Sequence, residues 1–240
     1  MLSSLFQIWS GGSFSMLQIV FLLISYAALI FVSLPVHEFA HALAAYRLGD
    51  ETAKWNGRLT LNPLKHLDTF GTIMLLLCGF GYARPVPVNP RYFRNPKGGM
   101  AITALAGPLS NLAMAVLSVG LFRVFCLFFD VTFQNGGIYA GDASYEIVSY
   151  AYLFFIDIFA SINISLAVFN LLPVPPLDGS RIFSAILPDK WVYTLERYEQ
   201  YITIAMFVLL LSGTLDGPLY VLRRLFGFVI CTLFGMPNVF

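Results

Sequence analysis

Residues 16–50 read MLQIVFLLISYAALIFVSLPVHEFAHALAAYRLGD. No charged residue occurs between Met16 and Leu34, and the apolar run is then interrupted by His37-Glu38-Phe39-Ala40-His41. The stretch predicts one long helix from about Ser15 to Leu48, with Gly49 as a C-cap. At 1.5 Å per residue such a helix is on the order of 50 Å long, more than the roughly 30 Å hydrocarbon core of a bilayer. Pro35 removes one intrahelical bond and should bend the helix two residues before His37.

Two histidines at i and i+4 share one helix face, so their imidazoles can close on a single ion. Glu38 is turned about 100° from His37 and can flank the ion without ligating it. This is the HExxH pattern of zinc hydrolases, in which the glutamate is the general base for a water acidified by Zn²⁺. Three ionisable groups within five residues of a membrane helix are costly and are rarely retained without a partner or a role.

Composition bounds the rest. Of 240 residues 58% are hydrophobic and 11% charged, against about 25% charged in a soluble domain, and the mean hydropathy is +0.76. The chain reads as a polytopic, all-α integral membrane protein. The net charge of +1 suggests no nucleic-acid partner. Cys78, Cys126 and Cys231 lack metal or disulfide spacing and read as small apolar residues. The first fifteen residues carry no Lys or Arg, so residues 1–13 read as a lead-in, not a signal peptide, and the first helix as a permanent span.

Arg47, Lys54, Arg58, Lys65, Arg84, Arg91, Arg94 and Lys97 fall between the first long helix and the next. The positive-inside rule places 48–97 in the cytoplasm, with the histidines roughly 10–15 Å below that interface. Within 50–67, Asn56-Gly57 and Asn62-Pro63 suggest a β-hairpin. His66 and Asp68, the nearest competing ligands, read as interfacial hydrogen-bonding groups. Residues 69–82 are too short for a span and suit a re-entrant or interfacial element. ARPVPVNP, 83–90, alternates like an extended edge, able through Val86 and Val88 to receive a peptide as an added strand.

A second helix is expected from about Gly98 to Phe129, with Asn111 as a polar group inside it. An outer loop at 130–146 carries Asp130, Asp142 and Glu146, and a third helix at 147–172 carries Asp157 and Asn163. Asn170-Leu-Leu-Pro-Val-Pro-Pro-Leu-Asp178-Gly179 then breaks the helix between apolar segments, which is tolerated at membrane depth only where protein or a watery cavity surrounds it. An acid there suits the third ligand position, giving His37, His41 and Asp178, with Asp157 the rival. Residues 189–200 form a charged link, and the apolar segments 201–215 and 219–235 bring the count to about five transmembrane helices, with Arg223 and Arg224 leaving a tilted or interfacial placement open for the last. One domain is expected over 1–240, with a core at 15–190 and C-terminal helices at 191–240.

Taken together, HEFAH, AGPLSN (106–111) and NLLPVPPLDG (170–179) resemble the site-2 protease family of intramembrane zinc metalloproteases. GRLTLNPLKHLDTFG (57–71) and PVPVNPRYFRNP (85–96) resemble its compact bacterial and archaeal members without a PDZ-like insertion. The resemblance implies one zinc per chain on His37, His41 and Asp178, with Glu38 activating water. It also implies that Asn170 helps hold the substrate backbone and that Asn111 lies beside the site. The implied substrates are membrane-spanning proteins, cut in or near their transmembrane segments in a prokaryotic cell membrane, with the site toward the cytoplasm. Homo-oligomerisation stays open. The alternative is a metal transporter or sensor using His37, His41 and Asp157. Such a protein needs no glutamate at the second motif position and usually spreads its polar groups along a path.

Overall fold

The computed structural model describes residues 16–78, 81, 83–129, 131–134, 137–141, 145–238 and 240. The lead-in 1–13 and the acids Asp130 and Asp142 of the outer loop lie outside them. The chain divides into two compact units, Met1–Pro96 and Lys97–Phe240.

In the first unit, α1 (Met16–Ala28) passes through a π-helical turn, Leu29–Ser33, into α2 (Leu34–Arg47). The anticipated disturbance at Pro35 takes this form. Proline cannot donate to the carbonyl four residues back, and the ladder widens just upstream, with Leu34 N–H reaching Leu29 O. Such π turns are concentrated at functional sites. After α2 the chain stops as anticipated: Gly49 has φ +104°, Gly49 N–H bonds Tyr46 O at 3.1 Å and Asp50 N–H bonds Ala45 O at 2.9 Å. That pair of bonds is a Schellman ending.

The hairpin expected within 50–67 is not formed. Those residues instead make two single helical turns, α3 (Thr52–Trp55) and α4 (Pro63–His66). Asn56-Gly57 is a second Schellman ending, with Gly57 at φ +64° and Arg58 N–H on Ala53 O at 2.8 Å. Asn62-Pro63 opens a helix, because the Asn62 side chain accepts from Leu64 N–H and proline occupies the first turn. Both Asn pairs are helix caps, not the strand turns that their composition suggests. Both turns pack on α2, and α4 also packs on the π turn. Next, α5 (Thr69–Cys78) is about 15 Å long, too short to cross. A single antiparallel bridge, Leu67 with Ala83, lies beyond its two ends. Residues 84–89 then run outside any helix or strand ladder, with Asn89 in the extended region at φ −113° and ψ 105°.

In the second unit, α6 (Pro96–Cys126) is followed by two three-residue strands, β1 (Thr132–Gln134) and β2 (Gly137–Tyr139), paired antiparallel. Then α7 (Tyr145–Tyr152), a π-helical stretch Leu153–Ala160 and α8 (Ser161–Asn170) form the third long helix. Buried Val119, Phe122, Ile156, Ile164 and Ile230 form its core. The Ser118 hydroxyl donates to Phe155 O at 2.6 Å, satisfying a carbonyl within the π stretch. The chain ends with α9 (Asp178–Ser184), α10 (Asp189–Arg197), α11 (Glu199–Leu211) and α12 (Asp216–Leu233). Lys97 and Asp189 form an ion pair.

Three helices among the described residues are long and apolar enough to cross a membrane: Leu23–Arg47, Pro96–Cys126 and Tyr145–Asn170. The expected fourth and fifth spans are a pair, α11 and α12, bent by 84°. At about 20 and 27 Å each is shorter than the hydrocarbon core, so the pair counts as at most one broken span. The break falls at Gly213, whose φ of +71° ends the first of the two.

Candidate metal centre

The π turn delivers α2 with His37 and His41 on one buried face. The rings meet edge to face, with centroids 4.6 Å apart and planes at 89°. Their Nε2 atoms stand 3.0 Å apart. Tetrahedral zinc with Zn–N of 2.0–2.1 Å holds two nitrogens about 3.3 Å apart, so the pair fits one ion with a small adjustment. Glu38, the next residue, is half-buried.

Asp178 begins α9, directly after the proline-broken segment. Its position depends on Gly179. A Cβ there would lie 2.2 Å from Leu172 O and 2.4 Å from Leu171 O, so only glycine lets the start of α9 pack on the end of the preceding helix. The Asp178 carboxylate is half-buried.

His37, His41 and Asp178 are the group of candidate zinc ligands that the described residues offer. Glu38 is not a member of the group. Asp157, the rival ligand, is also absent from it; although expected to be buried, it is exposed. His66 is fully buried, but its Nε2 meets Thr60 O at 2.7 Å. Asp68 Oδ1 accepts Gly71 N–H at 2.9 Å, capping α5. Both are occupied locally, as expected of hydrogen-bonding groups.

A 41% identical relative, "Putative zinc metalloprotease YwhC" of Bacillus subtilis, aligns over 181 residues, 75% of this chain and 77% of its own. The chain belongs to peptidase family M50, the site-2 proteases. The family model, Peptidase family M50, matches residues 135–213, which include the break and Asp178. "Putative zinc metalloprotease Rip2" of Mycolicibacterium smegmatis is 31% identical over 77% of this chain and 66% of its own. "Putative zinc metalloprotease MJ0611" of Methanocaldococcus jannaschii is 31% identical over 73% of this chain and 75% of its own. No solved structure matches the chain. This M50 member is therefore a zinc metalloprotease with membrane helices and a His-His-Asp candidate site.

The remaining candidates are placed as follows. Asn111 is fully buried on α6. Asn170 is half-buried, and its Nδ2 donates to Leu166 O at 3.0 Å. Val86 and Val88 are half-buried on the segment 84–89. Their backbone groups take no hydrogen-bond partner among the described residues.

Two buried charges escaped the sequence reading. Asp50 is fully buried; its Oδ1 accepts Thr52 N–H at 2.9 Å and its Oδ2 accepts Asn89 N–H at 2.7 Å. Arg58 is 6% exposed, and its Nη2 donates to Arg84 O at 2.8 Å and Pro85 O at 3.2 Å. Burial pushes the Arg58 guanidinium down from its ordinary value and the Arg84 charge adds to this, while Glu38 opposes both. A cationic stretch reads as a solvated loop, and nothing in its pattern marked Asp50 or Arg58 for burial.

Proposed function

We propose that this M50 protein is an intramembrane endopeptidase that hydrolyses peptide bonds in or near the transmembrane segments of other membrane proteins. The observation that carries the reading is the placement of the paired histidines and Glu38 on a helix, Leu23–Arg47, long and apolar enough to cross a bilayer. Ionisable side chains at that depth mark a site reached through a protein-lined cavity.

His37, His41 and Asp178 would hold the metal. When bound, zinc supplies a Lewis acid that polarises a carbonyl and makes a water acidic enough to lose its proton near neutral pH. Glu38 takes that proton and passes it to the leaving amine. Asn170 and Asn111 are the candidates for donating to the developing oxyanion and the substrate backbone. A peptide bond in a helix is shielded by its own hydrogen bonds, so the substrate must unwind locally. The segment with Val86 and Val88 receives the unwound stretch by strand addition. The excess of cations over 47–97 supports a cytoplasmic location for that segment.

The test is metal analysis of the purified chain combined with cleavage of membrane-anchored substrates in detergent. About one zinc per chain and cleavage that stops on chelation and returns with zinc are expected. A zinc-loaded protein that cuts no membrane substrate, or cutting unaffected by chelation, would refute the reading.

A further inference from the structure

The segment following the first span encloses a cavity of about 320 Å³, lined by Asn56, Arg58, Lys65, Arg84, Pro85 and Pro87. Three of the six are cationic and none is anionic. Arg58 is more than nine-tenths buried, and while its Nη2 is spent on two carbonyls, its Nη1 is buried without a hydrogen-bond partner among the described residues. A buried guanidinium N–H without an acceptor is costly, and two more cations beside it make the cavity deficient in negative charge. Guanidinium groups pair readily with phosphate oxygens.

The surroundings indicate where such an anion comes from. Trp55, Leu61 and Leu64 neighbour the lining residues in sequence and are 66%, 55% and 75% exposed. Trp55 also meets the exposed Tyr92 edge to face, with centroids 6.1 Å apart. A soluble anion has no use for exposed apolar side chains beside its ligands in the chain, whereas a lipid brings acyl chains along with its phosphate. Tryptophan and tyrosine favour the headgroup level of a bilayer, and basic pockets beside membrane helices suit anionic headgroups.

We propose that this cavity binds the phosphodiester headgroup of an anionic phospholipid, with Arg58, Lys65 and Arg84 on the phosphate and Trp55, Leu61 and Leu64 against the acyl chains. None of the lining residues is a candidate zinc ligand, and the proposal does not depend on proteolysis. A zwitterionic headgroup carries its own ammonium into the three cations and binds more weakly.

Native mass spectrometry of the purified full chain in detergent tests it, with phosphatidylglycerol, phosphatidylcholine and inorganic phosphate as separate probes. One phosphatidylglycerol should be retained in preference to phosphatidylcholine. Lys65→Gln and Arg84→Gln, both at exposed side chains, should each weaken that retention roughly fivefold. Inorganic phosphate at equal concentration should not displace the lipid. Equal retention of the two lipids, unchanged retention in the double variant, or displacement by inorganic phosphate would each overturn the assignment.

Discussion

Under the proposed function Glu38 does chemistry, while Gly179 governs the placement of Asp178. Glu38 follows a ligand but stands outside the ligand group. Glu38→Gln should therefore keep the zinc while lowering cleavage about 10²–10⁴-fold, the usual worth of general-base assistance. Loss of zinc together with activity would make Glu38 a ligand instead. Gly179 acts through its missing side chain. Because a Cβ would press into two carbonyls, Gly179→Ala should displace the start of α9, at an overpacking cost of about 1–3 kcal/mol. Zinc content should fall as it does in Asp178→Ala, while Asp157→Ala, at an exposed position, should leave it unchanged. A zinc deficit confined to Asp157→Ala would exchange the third ligand. The HExxH spacing made His37 and His41 legible, since helix periodicity alone brings i and i+4 together. Asp178 was legible as an acid on a broken helix. The need for glycine after it was not, because it arises from backbone packing that no spacing encodes.

At the scale of elements, the segment 84–89 is held at both ends by groups that are themselves buried. Arg84 N–H bonds His66 O at 2.8 Å, Arg58 grips the Arg84 and Pro85 carbonyls, and Asp50 accepts Asn89 N–H. On the proposed reading, Val86 and Val88 between them receive the incoming strand. A photo-crosslinker at Val86 or Val88 in the Glu38→Gln protein should capture bound substrate, and one at Tyr139 on β2 should not. Capture from Tyr139 alone would move the docking edge elsewhere. Asp50→Ala should loosen the segment, leaving Asn89 N–H without its acceptor at about 1–3 kcal/mol. Crosslinking and cleavage should then fall while zinc content holds; an unaltered crosslinking yield would show that the clamp is not needed. The alternation of 83–90 was readable as an extended edge. The clamp was not, because Asp50, Arg58 and His66 come from three separate turns. The supposed hairpin of 50–67 failed for a related reason: Asn-Gly and Asn-Pro serve helix ends as readily as strand turns.

For the molecule as a whole, the long apolar runs gave three spans to within a few residues, because a run of some twenty apolar residues has few alternatives. The C-terminal pair was overcounted, since composition cannot tell two short crossings from one bent element. The π-helical stretches at Leu29–Ser33 and Leu153–Ala160 left no signature beyond Pro35 in the first case. The proposed function sets the chemistry at membrane depth, and the position of the cut bond reports this directly. The substrate should be a single-span protein reconstituted in vesicles with the zinc-loaded enzyme, and the products mapped by mass spectrometry, with Glu38→Gln as control. The account predicts a scissile bond inside the substrate's transmembrane segment or within a few residues of its cytoplasmic end, absent from the control. Cuts confined to soluble loops far from the bilayer, or the same cuts made by Glu38→Gln, would contradict it.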